Sequence, residues 1–184
     1  MVVNRRFILK VGLGMTAMSL FKLKPMNILA SSGELHRTPS ASEGPYWKSG
    51  SPLRKTLYQP GDSGQRITVV GKVLDSVGNP IKGAKVDIWQ ADAGGNYDNR
   101  GFDYRGHVLS DAQGGYGFNT VKPGIYPSRT PHIHIKISTP EGRDLTTQLY
   151  FPDYSRRNER DFLFDKRLLV TWESESQARF DFVL

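Results

Sequence analysis

The chain has 184 residues, a formal net charge of +7 and no cysteine. That length suits one domain with a real core rather than two, and the missing thiols exclude a disulfide framework, a thiolate metal site and a thiol nucleophile. Arg5, Arg6, Lys10, Lys22 and Lys24 carry the excess charge before residue 31, and the remaining 20 basic against 18 acidic residues call for no nucleic-acid partner.

Residues 1–30 read as a targeting segment. Asn4-Arg5-Arg6-Phe7-Ile8-Leu9-Lys10 resembles a twin-arginine export signal, and the mildly apolar run Val11 to Phe21 follows it. That run is shorter than the roughly 20 apolar residues a membrane-spanning helix needs. Lys22 and Lys24 suit the twin-arginine route, and a cleavage point is expected near Ala30. The expectation is export by the twin-arginine machinery to the periplasm or beyond, a route that carries proteins already folded and cofactor-loaded. The competing reading is an uncleaved basic anchor or a disordered tail. Residues 31–42 read as a polar linker, and 43–184 as the folded domain.

Within that domain, Ile67–Leu74 alternates as a strand and ends at the turn Asp75-Ser76-Val77-Gly78-Asn79-Pro80. Ala84–Gln90, Tyr116–Val121, His132–Ser138 and Leu145–Phe151 are further strands, and Ala178–Leu184 is expected to close the sheet. Only Arg156–Phe164 allows a helical turn. Short strands punctuated by Gly, Pro, Asn and Asp predict an all-β sandwich with long functional loops.

The densest chemistry lies in Tyr126-Pro127-Ser128-Arg129-Thr130-Pro131-His132-Ile133-His134. On a strand, residues i and i+2 share a face, so His132 and His134 project together while Ile133, Ile135 and Ile137 face a core. Taken alone, the pair also fits surface histidines on a half-exposed strand. Tyr97, in the glycine-rich loop Gly94-Gly95-Asn96-Tyr97-Asp98-Asn99, fits a packed turn aromatic when taken alone. Together with Tyr126, His132 and His134 it makes an O₂N₂ donor set. Two phenolates favour a hard, highly charged ion, with Fe(III) the natural candidate, and argue against zinc.

These motifs occur in an order that resembles the intradiol ring-cleavage dioxygenases, the catechol and protocatechuate 3,4-dioxygenase relatives. The resemblance runs through Glu43-Gly44-Pro45-Tyr46-Trp47, Gly71–Asp75, Gly78–Gln90, Gly95-Asn96-Tyr97 and Tyr104-Arg105-Gly106. It continues through Ser110-Asp111, Gly114–Phe118, Pro123–Pro127, Arg129–His134 and Thr147–Phe151, covering roughly residues 43–184. It implies a prealbumin-like β-sandwich holding non-haem Fe(III) on Tyr97, Tyr126, His132 and His134. It also implies cleavage of a catechol-type aromatic by O₂, between the two hydroxyl-bearing carbons, to a cis,cis-muconate-type dicarboxylate. Tyr126 would leave the metal and help take up a substrate proton. Arg129 would stabilise charge on the substrate, its bland alternative being a loop anchor on a carboxylate. Gln148 would hydrogen-bond near the site, and Tyr46 would line the substrate cavity; an ordinary strand residue and a packing aromatic are the alternatives. Trp89 and Phe118 are expected in the core, and His36 and His107 at the surface.

The six-residue step from Tyr126 to His132 is short for the protocatechuate enzymes, and no long helical N-terminal region of the kind catechol 1,2-dioxygenases dimerise through is legible. Both imply an open pocket. Homo-oligomerisation is expected from the family, without a segment that identifies the interface. Two other readings stay open: an exported β-sandwich binding module with a vestigial site, and a copper or zinc binder using the histidines alone.

Overall fold

A computed structural model describes residues 34–126 and 129–184. The expected signal segment and the start of the expected linker lie outside the described residues, as do Pro127 and Ser128. The strands are β1 (Arg66–Leu74), β2 (Lys85–Gln90), β3 (Arg105–Leu109), β4 (Gly115–Val121), β5 (His132–Ser138), β6 (Asp144–Tyr150), β7 (Thr171–Trp172), β8 (Gln177–Arg179) and β9 (Phe182–Val183). One helical turn, α1 (Ser155–Asn158), sits between 3-10 turns at Pro152–Tyr154 and Lys166–Leu168.

Two sheets form the predicted sandwich. One runs β4-β1-β8-β7 with β9 also paired to β1, and the other runs β3-β2-β5-β6. In β1 the alternation Ile67, Val69, Val73 turns inward, and it meets Val86, Ile88, Ile133, Ile135 and Ile137 of the facing sheet in one core cluster. The three β5 isoleucines are completely buried, each contributing on the order of 1.5–3 kcal/mol of apolar transfer free energy. Trp89 and Phe118 are buried as expected.

The predicted closing strand 178–184 divides in two. β8 and β9 pair parallel to β1 in one register, and between them the Asp181 carboxylate accepts the Lys72 N–H at 2.8 Å. Strand β3 was not anticipated. Its apolar content is confined to Val108 and Leu109, and it is a strand because β2 and a bridge from Leu53 supply its partners. The helical expectation 156–164 shrinks to α1 followed by turns, tied by Asp161 N–H to Asn158 O and Phe164 N–H to Asp161 O.

From Glu34 onward the expected linker is an extended strap. Thr38 exchanges hydrogen bonds with Val183, through its N–H to the Val183 carbonyl and its Oγ1 from the Val183 N–H. Ala41 N–H then reaches Thr146 O on the other sheet, and Thr147 Oγ1 donates to Pro39 O. The strap thus delivers residues 42–47 over one face of the second sheet.

Candidate metal centre

That face carries one row of side chains drawn from all four strands. Arg105 of β3 pairs with Trp89 of β2, Trp89 with His134 of β5, and His134 with Gln148 of β6. Directly opposed residues in an antiparallel ladder share a face. All four members are buried. His132 lies two residues along β5, opposite Tyr150. The alternation in β5 therefore separates a core face from a site face, and the alternative of surface histidines fails: His132 and His134 are buried, while Lys136 and Ser138 further along the same face are half-buried.

The two imidazoles converge, Nε2 to Nε2, at 3.0 Å. His132 Nδ1 donates to the Thr130 carbonyl at 2.7 Å, which leaves its Nε2 with the lone pair. At this spacing His134 must donate to His132, or both nitrogens must face a common ion. Two nitrogen ligands about 2.1 Å from one ion, at a right angle to each other, stand about 3 Å apart. His134 Nδ1 is buried and has no hydrogen-bond partner. Burial, with the Arg129 charge nearby, pushes the His132 imidazole down to about 4, and burial beside His132 pushes His134 well down too. Both are held neutral, the form that binds a metal.

Tyr97 brings its hydroxyl to 3.5 Å from His132 Nε2. Its loop is built by the Asp92 carboxylate, which accepts the Gly94 and Asn96 N–H groups at 2.8 and 2.9 Å. Gly95, at φ +86°, is required there because a Cβ would run into the Ile125 carbonyl. That close approach brings the Tyr97 and Tyr126 loops together, with the two rings edge to face at 5.8 Å. The Tyr126 and Tyr46 hydroxyls share a hydrogen bond at 2.8 Å. The Tyr46 ring stacks on Tyr97 at 4.2 Å and 10°. Three of the four expected donors converge directly, and Tyr126 adjoins them through its ring. Burial holds the Tyr97 phenol in its neutral form, well above its usual range; a trivalent cation beside the oxygen opposes that effect. Two convergent, buried imidazole nitrogens and an adjacent half-buried phenol fit a hard, high-charge ion. Among the described residues no group of three His, Cys, Asp or Glu side chains converges, so the histidines have no further donor of the types zinc prefers.

The remaining expected residues form one wall. Arg129 Nε donates to both Asp161 oxygens at 2.9 and 2.8 Å, while Nη2 donates to Gln148 Oε1 at 2.7 Å and Tyr150 Oη at 3.1 Å. Gln148 Nε2 donates to the Ser42 carbonyl at 2.8 Å. Gln148 is thus a buried brace between Arg129 and the strap, and its amide oxygen is already engaged. Burial pushes the Tyr150 phenol up to about 12. The carboxylate anchor weighed for Arg129 is present, together with its place beside the histidines. His36 is exposed as expected, but His107 is half-buried and bonded to Ser51, its Nδ1 2.9 Å from the Ser51 carbonyl and 3.1 Å from the hydroxyl. Neither joins the site.

Comparison with known proteins follows this geometry. A family profile described as "Dioxygenase" matches residues 42–163. The dioxygenase domain of a dioxygenase–carbohydrate-binding fusion from Streptomyces sp. SirexAA-E superposes with a TM-score of 0.77 at 44% identity, over 81% of this chain and 98% of that one. An intradiol ring-cleavage dioxygenase from Tetranychus urticae superposes at 0.73 with 26% identity, over 80% and 94% of the two chains.

The chain belongs to the intradiol ring-cleavage dioxygenase family.

Among curated intradiol relatives, the protocatechuate 3,4-dioxygenase beta chain of Burkholderia cepacia is 37% identical over 57% of this chain and 48% of its own length. The hydroxyquinol 1,2-dioxygenase of Nocardioides simplex is 30% identical over 76% and 56%. The chain spans about half the length of these relatives.

Several residues that build this intradiol site were not singled out from sequence. Arg105, 2% exposed, sends Nε and Nη2 to the Asp98 carbonyl at 3.2 and 2.9 Å and Nη1 to the Tyr46 carbonyl, tying the Tyr97 loop to the residue stacked on it. Its neighbour Tyr104 sits at φ +54°, the sole positive φ outside glycine among the described residues. Asp98 accepts the Arg100 and Gly101 N–H groups on one oxygen and that of Asp103 on the other, which pulls its carboxyl down to about 2. The Asp98-Asn99-Arg100-Gly101 spacing is the signal of such an Asx turn. Arg105 lies in the quoted motif Tyr104-Arg105-Gly106 with no role legible for it, and nothing local marks Asp161.

Proposed function

We propose that the chain cleaves a catechol-type aromatic ring between its two hydroxyl-bearing carbons, with O₂ as co-substrate and non-haem Fe(III) held by Tyr97, Tyr126, His132 and His134. The product is a cis,cis-muconate-type dicarboxylate, which retains both oxygen atoms and needs no external reductant. The observation that carries this reading is the approach of the Tyr97 hydroxyl and the His134 Nε2 to His132 Nε2, at 3.5 and 3.0 Å, beside Tyr126 on an intradiol scaffold. Bound there, Fe(III) supplies the Lewis acidity that makes a chelated catecholate reactive toward O₂.

The residues supply the rest. His132 is fixed by Thr130 O so that Nε2 faces inward. Tyr126, one of the residues that would hold the metal, is the base for a catechol proton, and Tyr46, at 2.8 Å from its oxygen, would support the protonated phenol. Tyr46 also forms part of the cavity wall. Arg129, oriented by Asp161, Gln148 and Tyr150, presents a fixed positive edge to the ring. Residues 43–184 act as the catalytic domain. Asn4–Lys10 supports delivery through the twin-arginine machinery to the periplasm or beyond, with residues 1–30 as the leader.

The test is the visible spectrum of the iron-loaded protein, without and with catechol under anaerobic conditions. A broad tyrosinate-to-iron band that moves to longer wavelength with catechol is expected. A protein that stays colourless after iron loading overturns the assignment.

A further inference from the structure

The carboxylate of Asp161 makes four hydrogen-bond contacts with three donor groups and meets almost no water, with its side chain 1% exposed. Two of the four contacts are the Arg129 Nε pair at 2.9 and 2.8 Å. The others are the Thr130 N–H on Oδ2 at 2.9 Å and the Leu163 N–H on Oδ1 at 3.0 Å. The carbonyl of Thr130 is the acceptor that fixes the His132 imidazole. One buried group thus grips the two sides of the site: the guanidinium directly, and a histidine through the residue that sets its tautomer. With Nε on Asp161 and Nη2 on Gln148 and Tyr150, Nη1 is the guanidinium nitrogen without a protein partner among the described residues.

Resting on the function proposed above, we infer that Asp161 is a positioning residue for that chemistry. Its single carboxylate fixes the Arg129 guanidinium so that Nη1 is left for the bound ring, and it holds the backbone N–H of Thr130, the residue whose carbonyl orients His132. It touches neither metal nor substrate, and acts through those two residues. A turn-stabilising role alone predicts something different, because Asn158 does that work independently. Asn158 Oδ1 accepts the Thr130 hydroxyl at 2.6 Å, and its Nδ2 donates to Phe151 O at 2.9 Å, without contact to Arg129.

The test compares Asp161→Asn, Asn158→Ala, Arg129→Gln and the double variant Asp161→Asn/Arg129→Gln, each iron-loaded and assayed with catechol. Thermal unfolding of the metal-free chains and iron content are measured alongside. Asp161→Asn is expected to lower kcat by roughly 10–100-fold, the range for partners that orient metal ligands, with a smaller change in KM. Asn158→Ala, which removes a second hold on Thr130 but leaves Arg129 untouched, lowers the unfolding temperature with a kcat loss several-fold smaller than that of Asp161→Asn. In the Arg129→Gln background Asp161→Asn has a smaller further effect on kcat than in the parent, because the part exerted through Arg129 is already lost and only the part exerted through His132 remains. If Asp161→Asn fails to fold with Arg129 left unpaired, the double variant, which lacks that charge, is compared with Arg129→Gln alone. An Asp161→Asn kcat near the parent value, fully additive kcat losses, or equal kcat and stability losses in Asp161→Asn and Asn158→Ala each overturn the inference. A parent protein with neither the visible band nor ring cleavage overturns the underlying function instead.

Discussion

Trp89 lies parallel to His134, ring centroids 4.8 Å apart and planes 9° apart, on adjacent strands in direct register. The indole fixes the imidazole plane. Trp89→Ala is therefore expected to do two things. It costs about 3–5 kcal/mol of stability through the cavity left behind, and it frees the His134 ring, lowering iron retention. Calorimetry and iron analysis of the variant check both; full iron content would show that the stack is packing only.

Tyr97→Phe preserves the stack with Tyr46 and removes only an oxygen. The visible band and ring-cleaving activity should disappear together, with unfolding temperature little changed. His134→Ala should give the same optical result. Either variant keeping both band and activity would refute its residue as a ligand.

Tyr46→Phe separates two roles of one side chain. Its ring contact with Tyr97 stays, while the 2.8 Å bond to the Tyr126 hydroxyl goes. Stability should fall by no more than about 1.5 kcal/mol, and the resting visible band should shift because one phenol has lost its partner. An unmoved band would mean that Tyr46 does not sense the state of Tyr126.

The histidines also set an acid limit for the metal-free chain. The folded His132 imidazole titrates near 4, against an ordinary value of 6.5, and His134 is shifted in the same direction. The unfolded chain therefore binds these protons first, so stability is complete above about 6.5 and declines as pH falls toward 4. The loss is at most about 1.4 kcal/mol per pH unit for each imidazole. Asp98, lowered from 3.8 to about 2, adds a separate loss only between those two values. Denaturant melts of the metal-free chain between pH 7 and 4 would reveal the first window; a flat profile would contradict burial of neutral histidines.

What could be read in advance follows from the reach of each signal. Strand β5 was legible to the residue because Ile133, Ile135 and Ile137 alternate with polar neighbours, and alternation is a local property. The four proposed ligands were legible through motif order. β3 was not, since Arg105-Gly106-His107 offers no apolar alternation and becomes a strand only against β2. Asp161 was hidden for the same physical reason. An aspartate 32 positions from its arginine looks like any surface acid until the turn after α1 folds back and excludes water from the pair.

The strap from Glu34 to Ser42 would make the site sensitive to any cut in the chain ahead of the domain. A proteolytic nick inside it leaves every proposed ligand in the chain, yet detaches Thr38 from Val183 and Ala41 from Thr146, and loosens the Ser42 carbonyl on which Gln148 rests. Gln148 in turn steadies Arg129. Maturation that trims past residue 34 would thus reach the chemistry without removing a single donor atom from the centre.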